Sequence, residues 1–163
     1  MLLDFLQVLP ERQPQLLRAE GQQVRWQPPP VTKLKANFDG AVFREDKRAG
    51  LGVVIQNHQG QVLASLSENI MLPPSIEDVE ALAAVRAVSF AAGLGFSSII
   101  IEGDSEVVIK ALKCKESLTT FGHLISVARL TMDVLCSLSF SHTHRQGNSI
   151  ACNLIRHASG YLV

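Results

Sequence analysis

The sequence predicts an α/β fold in which a five-stranded mixed sheet, with three antiparallel strands and then alternating helix and strand, is flanked by helices. Three observations predict it. Residues 34–70 hold alternating and short apolar segments separated by turn residues, which is typical of a β-meander. Residues 75–95 carry a helix start, an apolar stripe and terminal glycines. Beyond them, apolar runs alternate with amphipathic segments, as in strand–helix units.

The first half of the chain predicts three strands. Residues 34–39 alternate between apolar and polar side chains, which predicts a strand with one buried face. Residues 50–55 and 61–70 lie on either side of the turn sequence at residues 57–60, and they predict the other two strands. The short connections favour antiparallel pairing.

Caps and periodicity predict the remaining elements. Ser75, with Asp78 three residues later, has the spacing of a capping box, and Gly93 and Gly95 follow the apolar stripe of this first helix. The run at residues 98–101 predicts a central strand that is buried on both faces. The rest of the chain predicts, in order, a helix capped by Ser105, a helix over residues 121–136, a strand over residues 138–144 and a last helix capped by Asn148 or Ser149.

Composition restricts the class of protein. At 163 residues, with 47% hydrophobic and 18% charged residues, the chain can bury a core and is not of disordered composition. Fifteen basic residues balance fifteen acidic ones. This argues against a protein that binds nucleic acid by bulk charge, but it leaves room for a site where bound cations supply positive charge. The three cysteines lack CxxC or zinc-finger spacing, which predicts reduced thiols in an intracellular compartment, nuclear or cytoplasmic.

The amino-terminal residues 1–30 differ from the rest, and we predict the domain itself over residues 31–160. Residues 2–9 predict a short helix that Pro10 stops, and the prolines at 28–30 predict an extended, stiff linker. The apolar start carries an aspartate and no basic segment, so we expect no signal peptide. We expect no membrane association either, because no apolar run approaches the ~20 residues that span a bilayer.

Three acidic residues stand where a metal site can form. Asp39 ends the first strand and Asp104 ends the fourth. If these strands lie side by side and parallel, both carboxylates emerge at the carboxyl-terminal edge of the sheet, where ligands of α/β proteins bind. Glu80 lies in the first turns of the first helix, and a stripe of alanines would let that helix approach the sheet.

Taken singly, these acids have ordinary alternatives. Asp39-Gly40 is a turn sequence, Glu80 is compatible with a solvated helix face, and Asp104-Ser105 is compatible with a helix cap. Converging carboxylates, however, repel one another unless a cation lies between them, and Mg²⁺ and Mn²⁺ prefer oxygen ligands. Two such ions ~4 Å apart can activate a water and stabilise the leaving oxygen of a phosphodiester.

Five stretches of the chain recur, in the same order, in one known family. They are Lys33–Ala41, Ala49–Ile55, Val79–Ala83, Glu102–Ser105 and His142–Ala151. In these stretches the chain resembles the type 1 ribonuclease H domain, in the plant version found in retroelement-derived proteins and reverse-transcriptase tails. The resemblance implies a ribonuclease H-like fold. It also implies that Asp39, Glu80 and Asp104 are catalytic residues that bind Mg²⁺ or Mn²⁺.

The chain departs from the family at the fourth metal-binding carboxylate. The family has an aspartate in the pattern Asn-x-x-Ala-Asp, whereas residues 148–152 read Asn-Ser-Ile-Ala-Cys. The neutral thiol of Cys152 is a poor ligand for Mg²⁺, so we expect one weakened metal position and slower turnover. Arg145 best matches the basic or histidine residue that helps product leave. The alternative is that Arg145 contacts only phosphate or solvent.

Two functions stay open at this point. The resemblance implies an endonuclease that hydrolyses the RNA strand of RNA–DNA hybrids by two-metal catalysis, with activity reduced by Cys152. The alternative is a catalytically weak or inactive retroelement-derived domain that binds nucleic acid or protein. In either case we expect a monomer. A different member of the fold superfamily, such as a 3′ exonuclease or an ATPase, would have other acid spacings or a phosphate loop.

Overall fold

The computed structural model describes residues 25–114 and 119–159, and these contain a five-stranded sheet with helices on both faces. The strands are β1 (Leu34–Phe43), β2 (Arg48–Gln56), β3 (Val62–Met71), β4 (Ser98–Gly103) and β5 (Ser137–His142). The helices are α1 (Ile76–Gly93), α2 (Glu106–Lys113), α3 (Gly122–Met132) and α4 (Ser149–Ser159), with a 3₁₀ turn at Arg145–Asn148 before α4. The predicted fold class is confirmed. The helix predicted over residues 2–9 lies outside the described residues.

The order of strands in the sheet is β3-β2-β1-β4-β5. The first three strands pair antiparallel, and β4 pairs parallel to both β1 and β5. In the β1–β4 register, Asn37 lies opposite Glu102. Asp39 and Asp104 each lie two residues farther along, so both are at the carboxyl-terminal end of β4, where its pairing with β1 has stopped. Asp104 directly follows its strand as predicted, but the prediction that Asp39 ends its strand is wrong, because β1 continues beside β2 to Phe43.

One face of the sheet packs against α1 to form the main core. Ala36 and Phe38 of β1 are fully buried there, together with the alanines on the facing side of the helix. Those alanines are Ala84, Ala87 and Ala91, each with 0% exposure. Because small side chains keep the helix axis near the sheet, α1 can bring a side chain of its own to the middle of β1.

The prediction that β1 has a single buried face is wrong. Its polar face is also covered, since Lys35, Asn37 and Asp39 are only 4%, 2% and 2% exposed. The physical reason is that β1 is the middle strand of five, and α4 and Trp26 lie over its polar side. The alternation of apolar and polar residues in β1 therefore separates an apolar face from a polar face, but both faces are buried.

Several element boundaries differ from prediction. Helix α3 ends at Met132 and not at 136, because the chain closes into tight turns in which Val134 N donates to Thr131 O. Strand β5 ends at His142 because its partner β4 ends at Gly103. Ser75 caps α1 as predicted, accepting a hydrogen bond from Asp78 N at 3.1 Å. The N-cap residue of α2 is Ser105, but its side chain makes no capping hydrogen bond.

None of the helices within residues 25–114 and 119–159 combines the length and the apolar character that crossing a bilayer requires.

Candidate metal centre

Asp39 is placed by the close packing of α1 on the middle of β1. The next residue is Gly40, and a methyl group there would lie 2.7 Å from Val79 Cγ1 of the helix. Only a glycine lets the two elements approach this closely. The backbone N–H of Gly40 donates to Asp39 Oδ1 at 3.0 Å, which fixes the orientation of the buried carboxylate.

Glu80 follows Val79 in α1, so the same close approach carries its side chain to the middle of β1, beside Asp39. Its Oε2 atom is buried and has no hydrogen-bond partner among the residues that the structure describes. A buried carboxylate oxygen without a partner is costly, because it has lost water and gained nothing in return. This oxygen therefore indicates a site that a further group completes.

Asp104 completes a cluster of three carboxylates. Asp39, Glu80 and Asp104 each offer an oxygen, and these atoms all lie within 4.8 Å of one another. No other group of three or more potential His, Cys, Asp or Glu ligands occurs in the part of the chain that the structure describes. His142 and His144 lie near each other, with ring centroids 5.8 Å apart, but they do not belong to such a group.

The electrostatics of this cluster favour a bound cation. Burial, and then the charge of Asp104, raise the pKa of Asp39 to about 6. Burial, followed by the charges of Asp39 and Asp104, raises the pKa of Glu80 to about 8. In the absence of a cation, Glu80 therefore keeps its proton at neutral pH. A hard divalent ion fits this all-oxygen donor set, since it would relieve the repulsion and give Glu80 Oε2 a partner.

We predict that Glu80 makes the metal-free protein less stable as the pH rises. Its pKa is about 8 in the folded chain, against a model value of 4.5, so the folded state binds more protons between these values. The free energy of unfolding should therefore be highest near pH 4.5 and fall through pH 8, by an amount on the order of several kcal/mol. Glu80→Gln stays neutral and should remove most of this fall, leaving the part that Asp39 contributes below about pH 6. Urea unfolding in EDTA between pH 5 and 8.5 measures it.

The control for this prediction is Glu77→Gln, which changes an exposed carboxylate of the same helix. It should unfold like the wild type at every pH. Equal pH dependence in Glu80→Gln and the wild type would show that Glu80 is not destabilised by its surroundings. Added Mg²⁺ should stabilise the wild type more at pH 8 than it stabilises Glu80→Gln.

Cys152 lies beside this cluster on α4. The helix reaches the sheet over Gly52, where a methyl group would lie 2.6 Å from Ile155 Cγ1 and 3.0 Å from Ala151 O. Gly52 pairs with Asp39 across β1 and β2, so the next residue of the helix, Cys152, comes beside that aspartate. The thiol and the Asp39 carboxylate are hydrogen-bonded, and burial followed by the charge of Asp39 raises the pKa of Cys152. The sulfur is therefore a neutral donor here, not an anionic ligand.

Arg145 lies at the start of the 3₁₀ turn that leads into α4, and its side chain is exposed. Its positive charge acts on Asp39, Glu80 and Cys152, lowering the pKa of each. The residue is therefore near the acids, as the sequence placed it. Whether it assists product release stays a prediction.

Comparison with known families decides where the chain belongs. A family model described as reverse transcriptase-like matches residues 37–158, a range that contains all three acids and Cys152. The chain belongs to the reverse transcriptase-like family. No curated protein sequence matches it.

Solved structures confirm the ribonuclease H-like fold of this reverse transcriptase-like chain. Ribonuclease H1 from the halophilic archaeon Halobacterium salinarum NRC-1 is 26% identical over 78% of this chain and 98% of its own, with a TM-score of 0.71. LC11 ribonuclease H1, solved in complex with an RNA/DNA hybrid, is 23% identical over 76% and 94%, with a TM-score of 0.65. The foamy viral protease-reverse transcriptase with RNA/DNA hybrid is 15% identical over 97% of this chain and 23% of its own, with a TM-score of 0.64. The resemblance to ribonuclease H of the reverse-transcriptase kind is confirmed, and its plant version stays a prediction.

Sequence reasoning missed a buried polar network beneath the acids of this reverse transcriptase-like domain. Asn37 Nδ2 donates to Glu102 Oε1 at 3.0 Å and to Asn148 Oδ1 at 3.2 Å, and Asn148 Nδ2 donates to Phe38 O at 2.7 Å. Trp26 Nε1 donates to Asn37 Oδ1 at 3.0 Å. The network joins β1, β4 and the start of α4, which are the elements that carry Asp39, Asp104 and Cys152.

The same network explains why Glu102 is not a fourth metal ligand. Lys35 Nζ lies 3.0 Å from Glu102 Oε2, both side chains are 5% exposed, and Asn37 occupies the other carboxylate oxygen. Lys35 also donates to the carbonyl of Gln27. Residues 25–27 therefore contact the domain, although the boundary predicted at residue 31 stays a prediction. One feature of the sequence could have indicated this buried ion pair. The polar residues that alternate with apolar ones in β1 include a lysine.

We predict that Lys35→Met destabilises the domain by about 3–5 kcal/mol, because it leaves the Glu102 carboxylate buried without its partner. The double variant Lys35→Met/Glu102→Leu should recover most of this loss, since it removes both charges. Urea unfolding of the two variants and the wild type measures the difference. A loss below about 1 kcal/mol in the single variant, as exposed ion pairs give, would contradict a buried pair.

Proposed function

We propose that this chain is a ribonuclease H-type endonuclease that hydrolyses the RNA strand of RNA–DNA hybrids with the help of divalent metal. The observation that carries the proposal is the convergence of three carboxylate oxygens within 4.8 Å. One of the three residues, Glu80, has a buried oxygen that finds no hydrogen-bond partner among the described residues. Membership of the reverse transcriptase-like family supports it. So does the fold shared with a ribonuclease H1 and with two proteins solved on RNA/DNA hybrids.

Asp39, Glu80 and Asp104 would hold Mg²⁺ or Mn²⁺ in this proposal. Bound there, such ions supply a nucleophilic water and neutralise the charge that develops on the phosphate. The chain itself fixes Asp39 through the Gly40 N–H, and it brings Glu80 to the same point by the packing of α1 on Gly40. Arg145, exposed beside the acids, adds a positive charge on the side from which a phosphate would approach. Preference for RNA would rest on its 2′-hydroxyl groups in a wide minor groove.

The second candidate is a domain that keeps the fold and binds nucleic acid or protein with little turnover. Cys152 favours it, because a protonated thiol beside Asp39 gives a hard cation almost nothing. The balanced charge also favours it, since fifteen basic residues are matched by fifteen acidic ones. Both candidates share the three-carboxylate cluster, so turnover and not metal binding separates them.

Cleavage of a labelled RNA–DNA hybrid tests the proposal. The wild type should cut the RNA strand in Mg²⁺ and faster in Mn²⁺, leave duplex DNA intact and do nothing in EDTA. Asp104→Asn should abolish cutting, while the matched exposed variant Asp133→Asn should cut as the wild type does. Hybrid that stays intact in both metals, at enzyme in excess over substrate, would reject the endonuclease and leave the binding domain.

A further inference from the structure

A cleft of about 450 Å³ opens next to the three carboxylates. It is linked to the acid cluster through His142, a wall residue whose Nε2 lies 3.2 Å from the backbone carbonyl oxygen of Asp104. The backbone of Thr143, another wall residue, donates to Gly103 O at 3.0 Å. The lining consists of Arg25, Gln27, Lys35, Glu102, Ser141, His142, Thr143 and His144.

The charged groups on the floor of the cleft are already paired with each other. Glu102 is the only carboxylate among the described residues that line the cleft, and it is already neutralised by Lys35 at 3.0 Å and by the Asn37 amide. Lys35 is equally engaged, since it also donates to the Gln27 carbonyl and lies 5.5 Å from the centroid of the Trp26 ring. The floor of the cleft therefore presents no net charge to a ligand.

The walls offer hydrogen-bond donors. Arg25 is exposed and makes no ion pair with any residue that the structure describes, so its guanidinium is available to a ligand. The hydroxyls of Ser141 and Thr143, the Gln27 amide and the His144 ring can donate as well. Guanidinium with surrounding neutral donors is the donor set that suits phosphate oxygens.

We propose that this cleft binds a backbone phosphate of the nucleic-acid strand whose scissile phosphate lies over Asp39, Glu80 and Asp104. The inference rests on the proposed function and adds a positioning contact to it. A chain with balanced charge has no bulk attraction for a polyanion, so its affinity must come from local cations. Arg25 is such a cation, and it lines the same cleft as His142, which contacts the backbone of Asp104. Contacts of this kind set the register of a strand without reading its sequence.

Binding of a labelled hybrid, followed by fluorescence anisotropy against salt, tests the cleft. In the Asp39→Asn background, which should not cut, Arg25→Ala should weaken binding roughly three- to tenfold, and the slope of log K against log salt should drop by about one. Arg25→Ala/Thr143→Val should weaken it further. Lys113→Ala and His123→Ala, exposed positions on α2 and α3, are the matched controls and should bind like the parent. Thermal melts of each variant confirm folding.

Hybrids in which a single phosphate is replaced by a neutral methylphosphonate locate the contact. One position within a few nucleotides of the cut should weaken binding to the parent and leave binding to Arg25→Ala unchanged. Arg25 variants that bind every hybrid as the parent does, with the same salt slope, would overturn the proposal even if the wild type cuts. A hybrid bound through Arg25 but never cut in the wild type would overturn the endonuclease and keep the cleft. No binding of hybrid, duplex DNA or single-stranded RNA would overturn both.

Discussion

Cys152→Asp is expected to raise hydrolysis of an RNA–DNA hybrid in Mg²⁺ by at least about tenfold, equivalent to ~1.4 kcal/mol. The thiol lies beside Asp39 and is held neutral by burial and by the charge of that aspartate. An aspartate at the same position would present a charged oxygen to a hard cation where sulfur presents a protonated thiol. The gain should appear as tighter Mg²⁺ activation together with faster turnover, measured by titrating the metal in a single-turnover assay.

The control for this substitution is Cys136→Asp, which introduces the same side chain at an exposed cysteine outside the site. It should leave cleavage unchanged. In EDTA, Cys152→Asp should be less stable than the wild type, because a fourth carboxylate joins three that already repel, and Mg²⁺ should reverse that loss. Equal activity of Cys152→Asp and the wild type over the whole Mg²⁺ range would contradict the role given to this position.

Asp39→Asn is expected to lower cleavage by roughly a thousandfold or more, since the loss of a charged ligand costs several kcal/mol of transition-state stabilisation. Asp39 is 2% exposed and is the residue around which Glu80, Asp104 and Cys152 gather. The same substitution should stabilise the metal-free protein at pH 8. The folded-state pKa of Asp39 is about 6, against a model value of 3.8, so the charged form is the disfavoured one.

Two opposite effects of one substitution distinguish a metal site from a structural aspartate. A structural role predicts lower activity with lower stability, whereas a metal site predicts lower activity with higher stability in EDTA. Asp46→Asn, an exposed aspartate in the turn after β1, should change neither quantity. An Asp39→Asn protein that is less stable than the wild type in EDTA at pH 8 would contradict the electrostatic account of the cluster.

The sequence was informative where a local rule decides the structure. The Ser75 cap, the glycines that end α1 and the apolar run of β4 were all found where their local signals placed them. Parallel pairing of β1 and β4 then brought Asp39 and Asp104 together, because both lie just beyond the last residues that the two strands pair. That β1 continues past Asp39 was not predicted, because that extension depends on pairing with β2 alone. The proximity of Glu80 followed from the alanines of α1, which are fully buried.

The sequence alone could not predict features that depend on contacts between elements far apart in the chain. Asn37 and Asn148 are 111 positions apart, and only the docking of α4 on β2 brings their amides together. The burial of the polar face of β1 has the same origin. The groups that cover this face, α4 and Trp26, lie outside the local sequence pattern of β1. Long-range polar contacts carry no periodicity of their own, so their partners had to be seen in the fold.

The most direct test of the central claim is a calorimetric titration of Mn²⁺ into the wild type and Glu80→Gln at pH 8, with Glu77→Gln as the matched control. The claim is that three converging carboxylates form a divalent-cation site. It predicts saturable binding by the wild type and by Glu77→Gln, with binding lost or strongly weakened in Glu80→Gln. Wild-type protein that takes up no Mn²⁺, or Glu80→Gln that binds it as tightly as the wild type, would contradict the claim.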